Sequence, residues 1–303
     1  MQFEITILGC GAATPTLRHL PTAQAINWNG QWMLLDAGEG VQLGLRQQRI
    51  PFQKIERIFI SHMHGDHVLG LPGLIGSMNL LGRRRPLVIY GPSSLESYVM
   101  TALKLTQTHL KFDLNFVAAN PKGMHVSMQE KGARISSFPV KHRIEAYGYQ
   151  FHFEAPELNV RKDQIEALEL QRSEIIQLKK GRDVQRTDGI WIKCALACHT
   201  KAAPLCYVYS GDTRPCDAVL TASLNADLLY HEATFLDDKR SKAKETGHST
   251  AKQAAQIAAD ANVKKLVIGH FSSRYRNEEL LADEARVIFN NVVLANEGMK
   301  FQL

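Results

Sequence analysis

Cysteine is scarce in this chain. Its five residues (Cys10, Cys194, Cys198, Cys206 and Cys216) are odd in number and unevenly spaced. That pattern argues against a disulfide framework and fits free thiols in a reducing cytoplasm. No run of about 18 uninterrupted apolar residues occurs, which argues against a membrane-spanning helix. Met1 to Leu8 has no basic leader followed by an apolar stretch, so no secretory signal is expected. A Pro/Gly/Ser-rich linker is also missing, and no composition break divides the chain. One domain over residues 1–303, carrying an insertion, is therefore expected. With 303 residues, 45% of them hydrophobic, the chain can bury a substantial core without cross-links. The excess of positive charge is modest, +6. It suits a polyanionic partner such as nucleic acid, and equally an ordinary solvated surface.

Short apolar runs ending in polar or glycine-rich turns recur along the chain. Phe3, Ile5 and Ile7 alternate with polar residues and read as a half-buried strand. Further strands are expected at Trp32–Leu35, Ile58–Ile60, Leu87–Tyr90, Arg134–Val140, Leu205–Tyr209, Leu228–Tyr230 and Leu266–Ile268. Helices are expected from a Ser93 cap to about Leu105, and over Thr250–Ala261 behind a Ser249 cap. Strands alternating with helices make the class α/β, with extra antiparallel strands in both halves. From Glu157 to Thr187 the chain is strongly charged with both signs. Lys162–Lys180 can form a helix there, with Ile165, Leu168, Ile175, Ile176 and Leu178 as a thin apolar stripe. This is a solvated excursion or an arm that grips a polyanion.

The chemistry concentrates in Ser61-His62-Met63-His64-Gly65-Asp66-His67, where three imidazoles and a carboxylate fall within six residues after a buried strand. Residues two apart in an extended turn point the same way, so His62 and His64 can converge on one metal. Asp66 and His67, past the bend that Gly65 permits, can face a second. Imidazoles with one or two carboxylates suit zinc, with manganese or iron as alternatives. A chance surface cluster is the bland alternative. His142, Asp212 and His270 argue against it, because each follows the end of an expected strand, where α/β sheets assemble their sites. Cys194-x3-Cys198-His199 fits neither haem attachment nor a zinc finger and reads as core or surface thiols. Arg83-Arg84-Arg85 is a charged turn or a phosphate contact.

The His-x-His-x-Asp-His motif resembles the signature of the metallo-β-lactamase superfamily. Further segments extend the likeness over essentially the whole chain. They are Leu8-Gly9-Cys10-Gly11-Ala12-Ala13-Thr14-Pro15-Thr16, Leu35-Asp36-Ala37-Gly38-Glu39-Gly40, Ile89-Tyr90-Gly91-Pro92, Ser210-Gly211-Asp212-Thr213, His231-Glu232-Ala233-Thr234-Phe235, Gly247-His248-Ser249-Thr250 and His270-Phe271-Ser272-Ser273-Arg274-Tyr275. These resemble tRNase Z of the short form. The resemblance implies a four-layer αββα sandwich with two zinc ions per subunit. One ion would take His62, His64 and His142, the other Asp66, His67 and His270, and Asp212 would bridge them. It implies cleavage of the 3′ trailer from precursor tRNA by a water held between the metals. Asp66 would orient or deprotonate that water, His248 would protonate the leaving 3′-oxygen, and Glu232 would orient His248. A cytoplasmic homodimer is implied, without membrane association.

Two features depart from the family pattern. Its protruding arm corresponds to residues 157–189, but Leu168-Glu169-Leu170-Gln171-Arg172-Ser173 replaces the usual glycine/proline-rich turn. Within the arm, Arg161, Lys162, Lys179, Lys180 and Arg182 are the candidate phosphate contacts. The other departure is Arg18-His19, where the family more often has arginine followed by asparagine. The competing readings are a hydrolase of this fold acting on a small phosphodiester or other ester, and an inactive RNA-binding subunit. Every ligand position is filled, which disfavours the latter.

Overall fold

Backbone donors in buried apolar runs need partners, and pairing the runs into sheets supplies them. The computed structural model describes residues 3–130, 132–154, 158–199 and 203–303. In chain order its strands begin with β1 (Phe3–Gly9), β2 (Ala23–Trp28), β3 (Gln31–Leu35), β4 (Ile55–Phe59), β5 (Leu87–Gly91) and β6 (Leu114–Ala118). The first three are antiparallel, and β3 through β6 run parallel. Next come β7 (His125–Glu130), β8 (Ala133–Pro139) and β9 (Tyr147–Phe153), then a short hairpin of β10 (Val184–Gln185) and β11 (Trp191–Ile192). The chain continues with β12 (Leu205–Tyr209), β13 (Leu228–Glu232), β14 (Leu266–Gly269), β15 (Val292–Leu294) and β16 (Lys300–Gln302). One seven-stranded sheet has the order β16-β1-β2-β3-β4-β5-β6, and the other β15-β14-β13-β12-β9-β8-β7. In the second sheet β12 to β15 are parallel.

The chain forms two compact units. Residues 1–129, 134–152 and 206–303 make one, and residues 130–133 and 153–205 the other. In the first, helices Val41–Gln47, Gly70–Leu80 and Leu95–Leu105 bury Leu45, Leu74, Ile75 and Val99 against Leu34, Ile58 and Ile89 of the first sheet. Helix Ala251–Asp260 lies on β13 and β14, and its buried Ala254, Ala255 and Ala258 let it approach closely. Between the sheets lies an aromatic layer. The fully buried Phe59 ring meets Tyr149 edge-on at 5.4 Å and Phe151 at 5.5 Å. The order is helix–sheet–sheet–helix, the α/β sandwich expected from the motifs.

Several local expectations change. The first strand is buried throughout, Thr6 at 0% exposure included, because β1 is an interior strand between β16 and β2 and is covered on both faces. Its Glu4 pairs with Lys300 at 3.3 Å. Ser93 does not cap the helix that begins at Leu95; its hydroxyl donates to Glu145 at 3.2 Å. The helix at 251 is capped by Thr250, in a reciprocal box with Gln253, and not by Ser249, whose hydroxyl donates to the Thr213 carbonyl at 2.6 Å. Arg83 is buried, donating to the carbonyls of Arg85, Gln53 and Pro86, so this member of the arginine triplet is structural.

The second unit takes in the 157–189 segment, apart from Glu157, which lies outside the described residues, and extends to Leu205. The helix expected over Lys162–Lys180 is two, Lys162–Ala167 and Arg172–Lys179, broken where Glu169 takes φ 46°. Leu178, Val160, Leu170, Ile192, Cys194 and Cys198 form its core, with Ile165, Leu168 and Ile175 packed on them. Ile176 leaves the expected stripe and is 45% exposed. Ile175 and Leu178 are three apart and share a helix face, whereas Ile176 is only two from Leu178.

Truncating Phe59 to alanine removes a ring packed between the sheets. It is expected to cost about 3–5 kcal/mol, read as a lower urea midpoint at unchanged slope.

Candidate metal centre

The loops at the carboxyl ends of the parallel strands carry the polar residues of the motifs. His62, His64, Asp66 and His67 follow β4, with Gly65 opening the short helix Gly65–Val68. Asp212 follows β12, Glu232 ends β13 and His270 follows β14 in a left-handed conformation, φ 60°. His142 lies three residues beyond β8. Gly38 admits this arrangement, since a Cβ there would stand 2.4 Å from the Asp66 carbonyl oxygen.

All seven expected ligands come together, in two groups sharing Asp212. His62, His64, His142 and Asp212 place their donor atoms within 4.8 Å of one another, as do Asp66, His67, Asp212 and His270. In the first group His64 Nδ1 stands 3.0 Å from His62 Nε2 and 3.1 Å from His142 Nε2. In the second, Asp212 Oδ2 stands 3.4 Å from His67 Nε2 and 3.2 Å from His270 Nε2. Asp66 Oδ2 is 3.3 Å from His270 Nε2 and accepts the Ala13 N–H at 2.7 Å.

The surrounding hydrogen bonds fix which ring nitrogen faces inward. His67 Nδ1 donates to Asp36 Oδ2 at 2.8 Å, and His142 Nδ1 to the Gly247 carbonyl at 2.8 Å. Ser61 Oγ donates to Asp36 at 2.8 Å and so accepts from His62 Nδ1 at 3.0 Å. Thr234 Oγ1 donates to Glu232 at 2.7 Å and accepts from His270 Nδ1 at 2.8 Å. In each case the Nε2 lone pair is left pointing at the shared space. Carboxylate, carbonyl or hydroxyl acceptors behind the ring are the usual support of metal-binding histidines. His67 Nε2 is buried without a hydrogen-bond partner. An orphaned acceptor among convergent imidazoles and carboxylates is the donor set of a divalent metal site, and the residues fit that group.

Electrostatics agree. Burial, reinforced by neighbouring histidines, lowers the pKa of His62 well below the ordinary range, and burial likewise lowers those of His64 and His142, keeping them neutral. Burial also pulls His67 down, but Asp212, Asp36 and Asp66 outweigh it and hold the imidazole well above its usual range. A proton and a metal compete for that lone pair, and a divalent ion answers the same carboxylates. Beside the two groups, His248 Nδ1 meets Glu232 Oε1 at 2.9 Å, and its ring stacks on His270 at 5.3 Å. Burial opposes its protonation, yet Glu232 and Asp212 push its pKa up to about 9. Glu232 is buried and also accepts the N–H groups of Thr213 and Thr234. His64, Asp66, Asp212, His248 and His270 line a cleft of about 500 Å³, with Arg143, Lys242 and Arg274 among its other walls.

Comparison with known proteins adds the family. Residues 3–155 match the sequence model described as anti-Pycsar protein Apyc1, and residues 164–271 that of a β-lactamase superfamily domain. The ribonuclease Z of Parabacteroides distasonis is 40% identical over 302 residues, spanning 100% of this chain and 99% of that one. The ribonuclease Z of Porphyromonas gingivalis W83 is 36% identical, covering 99% of each. The chain belongs to the ribonuclease Z family. Among solved structures, human short-form tRNase Z superposes with TM-score 0.71 at 26% identity and 98% coverage of each chain. The metallo-β-lactamase-fold protein YhfI of Bacillus subtilis, 20% identical at TM-score 0.71 over the whole of both chains, shares the fold.

Within this ribonuclease Z scaffold, sequence reasoning missed the residues behind the ligands: Asp36, Ser61, Thr234 and the Gly247 carbonyl. All four lie inside the motifs singled out in the sequence, but nothing in their spacing assigns them a role. The five basic residues expected to meet RNA sit in the second unit. There Lys162, Lys180 and Arg182 are exposed, Lys179 is half-buried, and Arg161 pairs with Asp163 at 3.6 Å. Arg18 does not stand free either. It donates to the Arg276 and Tyr275 carbonyls and pairs with Glu278 at 3.2 Å.

Asp36→Asn keeps the size of the side chain but removes the carboxylate behind His67. Metal affinity is expected to fall about 10–100-fold, measured by chelator competition, and an unchanged affinity would show that Asp36 serves the fold alone.

Proposed function

We propose that this chain is a tRNA 3′-processing endoribonuclease. It hydrolyses the phosphodiester after the discriminator nucleotide of a tRNA precursor, leaving a 3′-hydroxyl on the tRNA and a 5′-phosphate on the trailer. One observation carries this reading: two donor groups sharing Asp212 stand beside the His248–Glu232 pair, in a chain 40% identical to a ribonuclease Z along its length. His62, His64 and His142 with Asp212 would hold one divalent ion, and Asp66, His67 and His270 with Asp212 a second. An imidazole and carboxylate set without thiolate favours zinc and admits manganese or iron. When bound, the two ions supply Lewis-acid stabilisation of the phosphate's charge and acidify water near neutral pH.

The rest is work for the side chains. Asp66, fixed by the Ala13 N–H, would orient the attacking water and take its proton. His248 would protonate the departing 3′-oxygen, which leaves poorly as an alkoxide. Glu232 holds its Nδ1, which orients the ring and keeps it charged at neutral pH. Arg143, Lys242 and Arg274 give the cleft positive walls suited to flanking phosphates.

Arg161, Lys162, Lys179, Lys180 and Arg182 would meet the RNA backbone, with residues 157–189 acting as the arm. Free thiols at all five cysteines support a cytoplasmic setting. The adjacent exposed Leu80 and Leu81, at the end of helix Gly70–Leu80, are apolar surface that a homodimer would cover.

An end-labelled precursor with a 3′ trailer tests the reading. The wild type is expected to make one cut at the discriminator. His64→Ala should lose cut and metal together, whereas His248→Ala should keep its metal and slow about 10²–10⁴-fold. No cut by a metal-loaded wild type that still hydrolyses a small phosphodiester would move the substrate elsewhere. For the arm, Lys179→Glu, Lys180→Glu and Arg182→Glu together should weaken precursor binding and lower its salt slope by about one per lost phosphate contact. Hydrolysis of the small phosphodiester should not change, and an unaltered salt slope would dismiss these residues as RNA contacts.

A further inference from the structure

Outside the ligand groups, a largely enclosed cluster of titratable side chains among the described residues has no assigned role: the buried Cys10 with the half-buried His19, Glu278 and Glu297. Both His19 ring nitrogens face carboxylates, Nδ1 meeting Glu297 and Nε2 meeting Glu278, each at 2.9 Å. Only the imidazolium donates from both nitrogens at once. The hydrogen bond to Glu297 raises its pKa above the usual range, against the desolvation that lowers it. Cys10 Sγ lies 3.3 Å from Nδ1. Arg18 adds a second cation on Glu278, and the Leu20 N–H a further donor to Glu297.

This clamp ties the loop between β1 and β2 to two distant stretches of chain. Thr16 Oγ1 accepts the Arg18 and His19 N–H groups, and Gly11 donates to the Leu20 carbonyl, so internal hydrogen bonds link both ends of the loop. The same loop carries the Ala13 N–H that binds Asp66, where Ala13 is held left-handed at φ 65°. Its base is stitched to the residue after His270, through Phe271 N–H to the Cys10 carbonyl and Ala12 N–H to the Phe271 carbonyl, both 3.0 Å. Asp66 and His270 belong to the same ligand group. His62, His64 and His142 take no support from this loop in any of the hydrogen bonds described above.

We infer that His19 is a positioning residue for the Asp66–His67–Asp212–His270 half of the metal centre, holding Asp66 and His270 in place through the loop it pins to Glu278 and Glu297. The inference rests on the two-ion reading above. Without the imidazolium, Glu297 keeps only the Leu20 N–H and no cation, Glu278 keeps Arg18, and the loop loses both ties that pass through the His19 ring. The effect is asymmetric, one ion loosened and the other not, and a general loss of stability does not predict that.

The test follows zinc uptake by the full chain in competition with a chromogenic chelator, with no turnover involved. Wild type should take up two ions. His19→Gln should bind one as tightly as wild type and the other about tenfold more weakly. His19→Lys restores a cation between the carboxylates and should recover part of the loss. If His19→Gln does not fold, Glu278→Gln removes one arm of the clamp and should weaken the same ion. Equal weakening of both ions, or of neither, overturns the inference. A third ion in wild type that is lost in His19→Gln also overturns it, since Cys10, His19 and Glu297 would then be a metal site. A wild-type chain that takes up no ion removes the two-ion reading itself, and the inference with it.

Discussion

The Asp36 carboxylate is fully buried and accepts four hydrogen bonds. Ser61 gives two, from its N–H and its hydroxyl, His67 gives one from Nδ1, and Tyr209 gives one from its hydroxyl at 2.6 Å. A buried carboxylate is costly unless its lone pairs are satisfied, and satisfying them here draws on both sheets. Ser61 and His67 follow β4 of the first sheet, and Tyr209 ends β12 of the second. The same contact therefore registers the sheets face to face and fixes the His67 ring. Asp36 adopts φ 57°, in the left-handed region, with its carboxylate held by those four bonds and its own N–H by the Phe59 carbonyl at 2.8 Å.

The same economy runs through the rest of the centre. Glu232 binds His248, and through Thr234 it reaches His270. The Gly247 carbonyl behind His142 is presented by a helix C-terminus at φ 82°, where a Cβ would press on that imidazole at 2.9 Å. Because support and ligand come from different strands, the donor groups exist only once both sheets have packed. In the chain's own electrostatics, histidines kept neutral by burial and carboxylates kept charged by histidines are two sides of one arrangement.

The second unit follows a different logic. It has its own core around Leu178, and its helices are held by local devices such as the Gln171–Glu174 capping box and the Arg186–Glu174 pair at 2.7 Å. Cys194 and Cys198, whose spacing suits no metal motif, are part of that core, with sulfurs 3.8 Å apart. Its polar exterior explains why the segment reads as strongly charged in sequence, with only a thin apolar stripe.

The sequence by itself determined the class of fold and pointed to the donor side chains that converge. Period-two and buried apolar runs set the strands, and metal chemistry demands particular side chains whose spacing after strand ends is visible without coordinates. Helix caps were legible only to within a residue, because Ser249 and Thr250 are equally good caps and only packing sends Ser249 to the Thr213 carbonyl. The support of the site was not legible at all. Asp36 lies 25 residues from Ser61 and 173 from Tyr209 along the chain. His19 lies 259 from Glu278 and 278 from Glu297. No local pattern relates residues so far apart. Which buried donor meets which acceptor is decided by the packing of the two sheets, where an unpaired polar group costs more than any local preference supplies.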